Sequence, residues 1–345
     1  MKLSLIWLVP LLIVAANTHA DPLFESDDPL GITLTGGLRA LEATRDKSEQ
    51  AAFSLGWTEN DAPRTAPVTL ELRGNNRLKR KTCVHPPLRV LFDKETRSDL
   101  KGTLFARQKR LKLVVQCQAR PSNLDYLRLE YLVYKSFEQL SPASFRVRWL
   151  DVTYVDDGEA SVRQGFFIEQ KARLAKRLKL KDVERHSVDY ADLDPLQALM
   201  TDLFMYLVGN VDYSIVKGEA DEDCCHNSKL LSEKKNEPPY FPVPYDFDNS
   251  GLVNASYAMP NQALGQKRIR TRVYRGFCRF NDQLPVALGR LRATREATLA
   301  LFRDDPILRK GPKKSAVTYL ERLYDRFDDP KWVEKIPRSR CRGRR

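Results

Sequence analysis

Two acidic segments carry the residues that could do chemistry. The first is GNVDYSIVKGEADEDCCHNSKLL, Gly209 to Leu231, and the second is PVPYDFDNSG, Pro242 to Gly251. Asp212 stands just after a small turn, and Asn227 follows it fifteen positions later. Asp246 and Asp248 lie two apart on a Pro-bounded strand or turn. Phosphoryl transfer needs such a set. One carboxylate orients or deprotonates the accepting hydroxyl, while an Asn and an Asp hold Mg²⁺ against the phosphate charge. The part still required is a strand lysine paired to a helix glutamate. Lys112 in RLKLVVQC and Glu130 in LRLEYLVYK have the order and spacing for it.

Other chemistries draw on the same residues less completely. ADEDCCHN offers Glu219, Asp221, Glu222, Asp223, two cysteines and His226 as metal ligands. Adjacent cysteines do not suit one tetrahedral zinc, and the EF-hand pattern is absent. Hydrolysis by Asp212 and Asp246 as acid and base leaves Lys112 and Glu130 without a role. No GxSxG is present for serine-hydrolase chemistry.

Positioning these residues calls for strands first and helices later. ITLTGG, APVTLELRGNNRL, PLRVLFD and RLKLVVQCQ read as strands. SNLDYLRLEYLVYKSFEQL reads as a helix capped by Ser122 or Asn123. SFRVRWLDVTYVDD and VRQGFFIEQ read as two strands around a turn at Asp156 to Gly158. LDPLQALMTDLFMYLVGN reads as a buried helix stopped by Gly209. From about Ala263 the chain reads as helical. The expected class is α+β, a β-rich N-lobe with one helix over 21–175 and a helical C-lobe over 176–335, with a ligand cleft between them.

These segments resemble the CotH-type spore-coat kinases, atypical members of the protein-kinase-like fold. The resemblance spans about Val68 to Gly251 and rests on LELRGNNRLKRKTC, LDYLRLEYLVYKSFEQL, GFFIEQKARLAKR, GNVD with HNSKLL, and VPYDFDNSG. HipA-type and lipid kinases share its sparse Asp, Asn and Asp logic. The resemblance implies a two-lobed kinase-like fold with ATP and Mg²⁺ (or Mn²⁺) as cofactors. It makes Asp212 catalytic, and Asn227 and Asp246 metal ligands with Asp248 as the alternative. Lys112 would contact ATP phosphates, held by Glu130 or Glu169, and Arg73 would lie near the nucleotide. The acceptor would be a Ser or Thr hydroxyl of an exported protein. The chain departs from the family where Tyr213-Ser214 follows Asp212 and where KGEADEDCC widens the loop. Those departures define the alternative reading, a secreted pseudokinase or cell-envelope binding protein.

The chain starts MKLSLIWLVPLLIVAANTHA, with Lys2 before an apolar stretch and Thr18-His19-Ala20 as a cleavage site. We read residues 1–20 as a signal peptide and expect a secreted or periplasmic protein with no stable membrane insertion. Six cysteines then predict disulfides. Cys83 and Cys117 are expected to pair across a sheet, and Cys224 and Cys225 to bond two different partners. The net charge is +13 among 345 residues. That excess favours anionic partners such as phosphates or acidic cell-surface polymers, and export argues against nucleic acid. The tail 336–345, RSRCRGRR at its end, adds to the excess and reads as partly disordered.

Overall fold

The computed structural model describes residues 21–219 and 223–343, so the proposed signal peptide lies outside the described residues. Seven strands close into a barrel: β1 (Leu30–Thr35), β2 (Gln50–Glu59), β3 (Ala62–Leu72), β4 (Leu88–Leu91), β5 (Arg110–Val115), β6 (Val147–Asp156) and β7 (Glu159–Ile168). Their order is β1-β2-β3-β4-β5-β7-β6. All neighbours are antiparallel except β1 and β6, which run parallel from Leu30↔Leu150 to Thr35↔Val155 and shut the barrel. Alternation explains the interior. Phe53, Leu55 and Trp57 of β2 are buried and turn inward with Leu34, Leu70, Val90, Leu113 and Phe167. The β2–β3 turn has φ of 51° at Asn60 and 60° at Asp61, and the β6–β7 turn has φ of 52° at Asp157 and 80° at Gly158. Two successive left-handed residues match the twist of tight hairpins.

Helices α1 (Leu38–Thr44) and α2 (Lys94–Asp99) are short. The long α3 (Pro121–Leu140) begins on Pro121 rather than on a Ser122 or Asn123 cap. It packs Tyr131 and Tyr134 against Trp149 and Phe166 on the outer face of the barrel. That contact joins a second core shared with α4 (Lys171–Arg177), α5 (Pro195–Val208), α6 (Leu284–Ala293), α7 (Arg295–Arg303) and α8 (Lys310–Phe327). A three-stranded sheet of β8 (Lys181–Asp182), β9 (Ser228–Ser232) and β10 (Tyr240–Pro244) lies among them, and α9 (Pro330–Val333) follows α8.

The α+β class holds, but the two-lobed protein-kinase-like fold is overturned. Its β part is a closed barrel. The closure comes from β1 pairing with β6 across more than a hundred residues, and from β2, a strand absent from the sequence reading. The single helix expected before residue 175 is also corrected, since α1, α2 and the start of α4 fall there too.

Three cysteine pairs stand at disulfide distance: Cys83–Cys117, Cys224–Cys225 and Cys278–Cys341. The first is the expected pair, but it joins the segment between β3 and β4 to the segment after β5 rather than crossing a sheet, since neither cysteine lies on a strand. The second corrects the expectation of two separate partners, since the adjacent cysteines meet each other across a cis peptide bond. The third pins the basic tail, where Arg342 also lies 4.1 Å from the Phe277 ring centroid, so the tail is ordered as far as it is described. No helix among the described residues is long and apolar enough to cross a membrane.

Candidate functional site

A cleft of about 1000 Å³ opens between the β3–β5 face and the loops around α5 and the β9–β10 hairpin. One wall is cationic. Cross-strand register sets Glu71 beside Arg89 and Arg89 beside Lys112 on one face of the barrel. Arg89 bonds Glu71, and Lys112 Nζ lies 4.2 Å from the centroid of the Tyr245 ring. Arg73, at the end of β3, lines the same wall. Burial pulls the Lys112 ammonium well below its ordinary range, and the charges of Arg73, Lys229 and Arg89 pull the same way against the charge of Asp246. Such crowding of like charges is relieved by an anion.

The opposite side carries carboxylates. Helix α5 ends at Gly209 with φ of 69°, and a Cβ there would come 2.0 Å from the Tyr319 hydroxyl. Gly209 O accepts from Gly251 N at 3.0 Å, which brings the two acidic segments side by side. Asp212 N donates to Asn210 Oδ1 at 2.8 Å, and Arg275 donates to the carbonyls of Val211 and Tyr213 on either side. The Asp212 carboxylate receives His226 Nε2 at 2.9 Å, Asn249 Nδ2 at 3.2 Å and Asn227 Nδ2 at 3.3 Å. Burial alone would raise its pKa, but the bonds from His226 and Asn249 and the charge of Arg275 outweigh it and hold the group below its ordinary value. His226 Nδ1 reaches Glu219 Oε1 at 2.9 Å, so the imidazole ties the inserted loop to Asp212.

Pairing of β9 with β10 from Ser228↔Pro244 sets Asn227 beside Tyr245, whose N–H donates to Asn227 O at 3.1 Å. Asn227 and Asp246 both adopt left-handed backbone, φ 48° and 63°. Non-glycine residues in that region are rare and cluster at sites where side chains must be aimed. Asp246 N donates to Tyr134 Oη of α3 at 2.8 Å.

Lys112 and Glu130 do not meet. Arg77, from the segment after β3, takes Glu130 instead, with Nη1 3.6 Å from Oε2. Its Nε lies 3.1 Å from Asp248 Oδ2 and its Nη2 3.9 Å from Asp246 Oδ1. Glu130 Oε1 is buried with no hydrogen-bond partner. Burial raises the Glu130 carboxyl, and the charges of Asp248 and Asp246 add to the rise against the pull of Arg77. Burial likewise raises Asp248. Glu169 also lines the cleft, with its buried side chain paired to Arg177 Nη2 at 2.9 Å. Its carboxylate also accepts from Arg146 N and from Arg177 Nε of α4.

The structure therefore brings Arg73, Lys112, Glu169, Asp212, Asn227, Asp246 and Asp248 to one cleft, and Glu130 is the expected residue that does not line it. The sequence reading missed Arg77, Asn249 and Arg275. Arg77 sat within the basic run RGNNRLKRK, where nothing marks one cation as the buried one.

The donors suit a hard cation. Mg²⁺ holds to one or two carboxylates and completes its shell with water and phosphate oxygens. Asp246 and the neighbouring Asn227 amide match that demand. Among the described residues no three His, Cys, Asp or Glu side chains form a protein-only cage. A cysteine site at Cys224 and Cys225 is removed by their disulfide, and Asp221 and Glu222 lie outside the described residues. A comparison with protein-family models found no match, and none was found among curated proteins.

Proposed function

We infer that the cleft binds a nucleoside triphosphate such as ATP together with Mg²⁺ or Mn²⁺ and passes the terminal phosphate to a hydroxyl. The observation that carries this reading is the double crowding of charge. Arg73, Arg89, Lys112 and Lys229 line the cleft together with Asp212, Asp246 and Asp248, so cations and carboxylates crowd one space. A metal–polyphosphate ligand relieves both at once, presenting anionic oxygens to Lys112 and Arg73 and a cation to Asp246 and Asn227. When bound, the metal would neutralise phosphate charge and shield the incoming oxygen from repulsion.

Asp212 is the acceptor-side carboxylate of this reading. Its lowered pKa keeps it ionised, and Asn249 and His226 fix its carboxylate. It orients the hydroxyl and receives its proton as the new oxygen–phosphorus bond forms and the bond between the γ-phosphorus and the β,γ-bridging oxygen breaks, releasing the nucleoside diphosphate. Three cysteine pairs suit an oxidising compartment, which favours an exported acceptor protein. The net charge of +13 favours an acidic one.

One observation supports binding without transfer. Both oxygens of Asp212 are already engaged, Oδ1 by His226 and Oδ2 by Asn249 and Asn227. Radiolabelled ATP with a mixture of exported proteins separates the two readings. Transfer that falls by about 10²-fold or more in Asp212→Asn supports phosphotransfer. Bound nucleotide with no transfer in the wild type supports the binding protein, and transfer unchanged in Asp212→Asn removes Asp212 from the chemistry.

A further inference from the structure

The cleft holds one fixed cation that its phosphotransfer reading does not use. Arg77 has only 9% of its side chain exposed and faces three carboxylates. Their exposures rank them. Glu130 is 2% exposed, Asp248 17% and Asp246 31%. The closest contact is to Asp248 at 3.1 Å, and the longest, 3.9 Å, is to Asp246. Tyr257 also bonds the Asp248 carboxylate. Asp248 is therefore committed inward, while Asp246 is the carboxylate left open to the cleft and to Asn227.

We propose that Arg77 is a built-in counterion that occupies the place of a second divalent cation, so that the cleft takes a single metal ion on Asp246. A guanidinium cannot lose its charge in a protein and supplies donors in a fixed plane, which suits it to bridging several carboxylates permanently. A divalent ion bridging Asp246 and Asp248 would have to enter the space that the guanidinium fills. The inference rests on the reading of the cleft as a metal–nucleotide site, and it assigns Asp248 to Arg77 rather than to the metal.

The test is an electron paramagnetic resonance titration of Mn²⁺ into the full chain, with a non-hydrolysable ATP analogue present. The wild type and Arg77→Lys should each bind one equivalent. A folded Arg77→Ala should bind two. Asp246→Asn should abolish detectable Mn²⁺ binding, whereas Asp248→Asn should still take up one equivalent at reduced affinity, as suits a residue outside the ligand shell. The Asp248 and Asp246 arms keep the test decisive where Arg77→Ala does not fold. Two equivalents in the wild type, one in folded Arg77→Ala, or equal losses in the two aspartate variants would overturn the proposal. Analogue bound to a wild type that takes up no Mn²⁺ overturns it too. A wild type that binds neither analogue nor Mn²⁺ removes the reading of the cleft as well.

Discussion

Arg77 and Glu130 face each other beneath the cleft, Nη1 to Oε2 3.6 Å apart, in the position where a lysine–glutamate pair was expected. Lys112 is left against the Tyr245 ring, and among the described residues it makes no ion pair within 4 Å. This exchange of partners sets the electrostatics of the whole site. The permanent cation goes to the buried acids, and the lysine stays on the cationic wall.

Removing Arg77 should be costly. Arg77→Ala strands Glu130, Asp246 and Asp248 around an uncompensated gap, and breaking a buried ionic group from one side costs about 3–5 kcal/mol. Urea denaturation should show that loss, with Arg77→Lys losing less because the charge remains. An Arg77→Ala protein as stable as the wild type would mean that the acids are not burdened as described.

Much of this frame was legible locally. The periodicity of residues 122–140 marked α3, Gly209 marked the end of α5, and the turn near Asp157-Gly158 marked the β6–β7 hairpin. These signals depend on neighbours in the chain. The parallel pairing of β1 with β6 does not, because no local pattern specifies a partner strand so far away. Missing it turned a closed barrel into an open lobe. The same limit governs the site. Asp212, Asn227 and Asp246 were found by type and spacing. Arg77 is chosen from its basic run only by the three carboxylates that meet it in space.

Gly209 should tolerate no side chain. With φ of 69° and a Cβ position 2.0 Å from Tyr319 Oη, Gly209→Ala combines backbone strain with a clash. A loss above about 1 kcal/mol is expected. Adding Tyr319→Phe should recover the steric share and leave the backbone share. Chemical denaturation of the single and double variants checks both parts.

Asp202, buried in α5 and bonded to Tyr213 Oη at 2.7 Å, is pushed up to about 6 by burial. The native state then holds a proton that the unfolded chain releases near the ordinary value of about 3.9. Stability contributed by this group is present at low pH and declines as pH rises from about 4 to about 6. Asp202→Asn should therefore gain on the wild type across that window and run parallel to it above neutral pH. A constant difference across the window would contradict the raised value.

The His226 imidazole should titrate above its ordinary value, because Asp212 bonds it and the charges of Asp212 and Glu219 add to the bond against the effect of burial. Its stabilising charge is complete below the unfolded pKa of about 6.5 and lost as pH rises through the higher folded value. Imidazole resonances followed by NMR should show this rise, and Asp212→Asn should reduce it. An unchanged titration in that variant would mean that the contact is not formed in solution.

The most direct test of the central claim is calorimetric titration of ATP with Mg²⁺ into the full chain. The account predicts binding by the wild type, at least about tenfold weaker binding in Lys112→Ala and in Asp246→Ala, and retained binding in Asp212→Asn. No binding by the wild type, or wild-type affinity in both Lys112→Ala and Asp246→Ala, would contradict it.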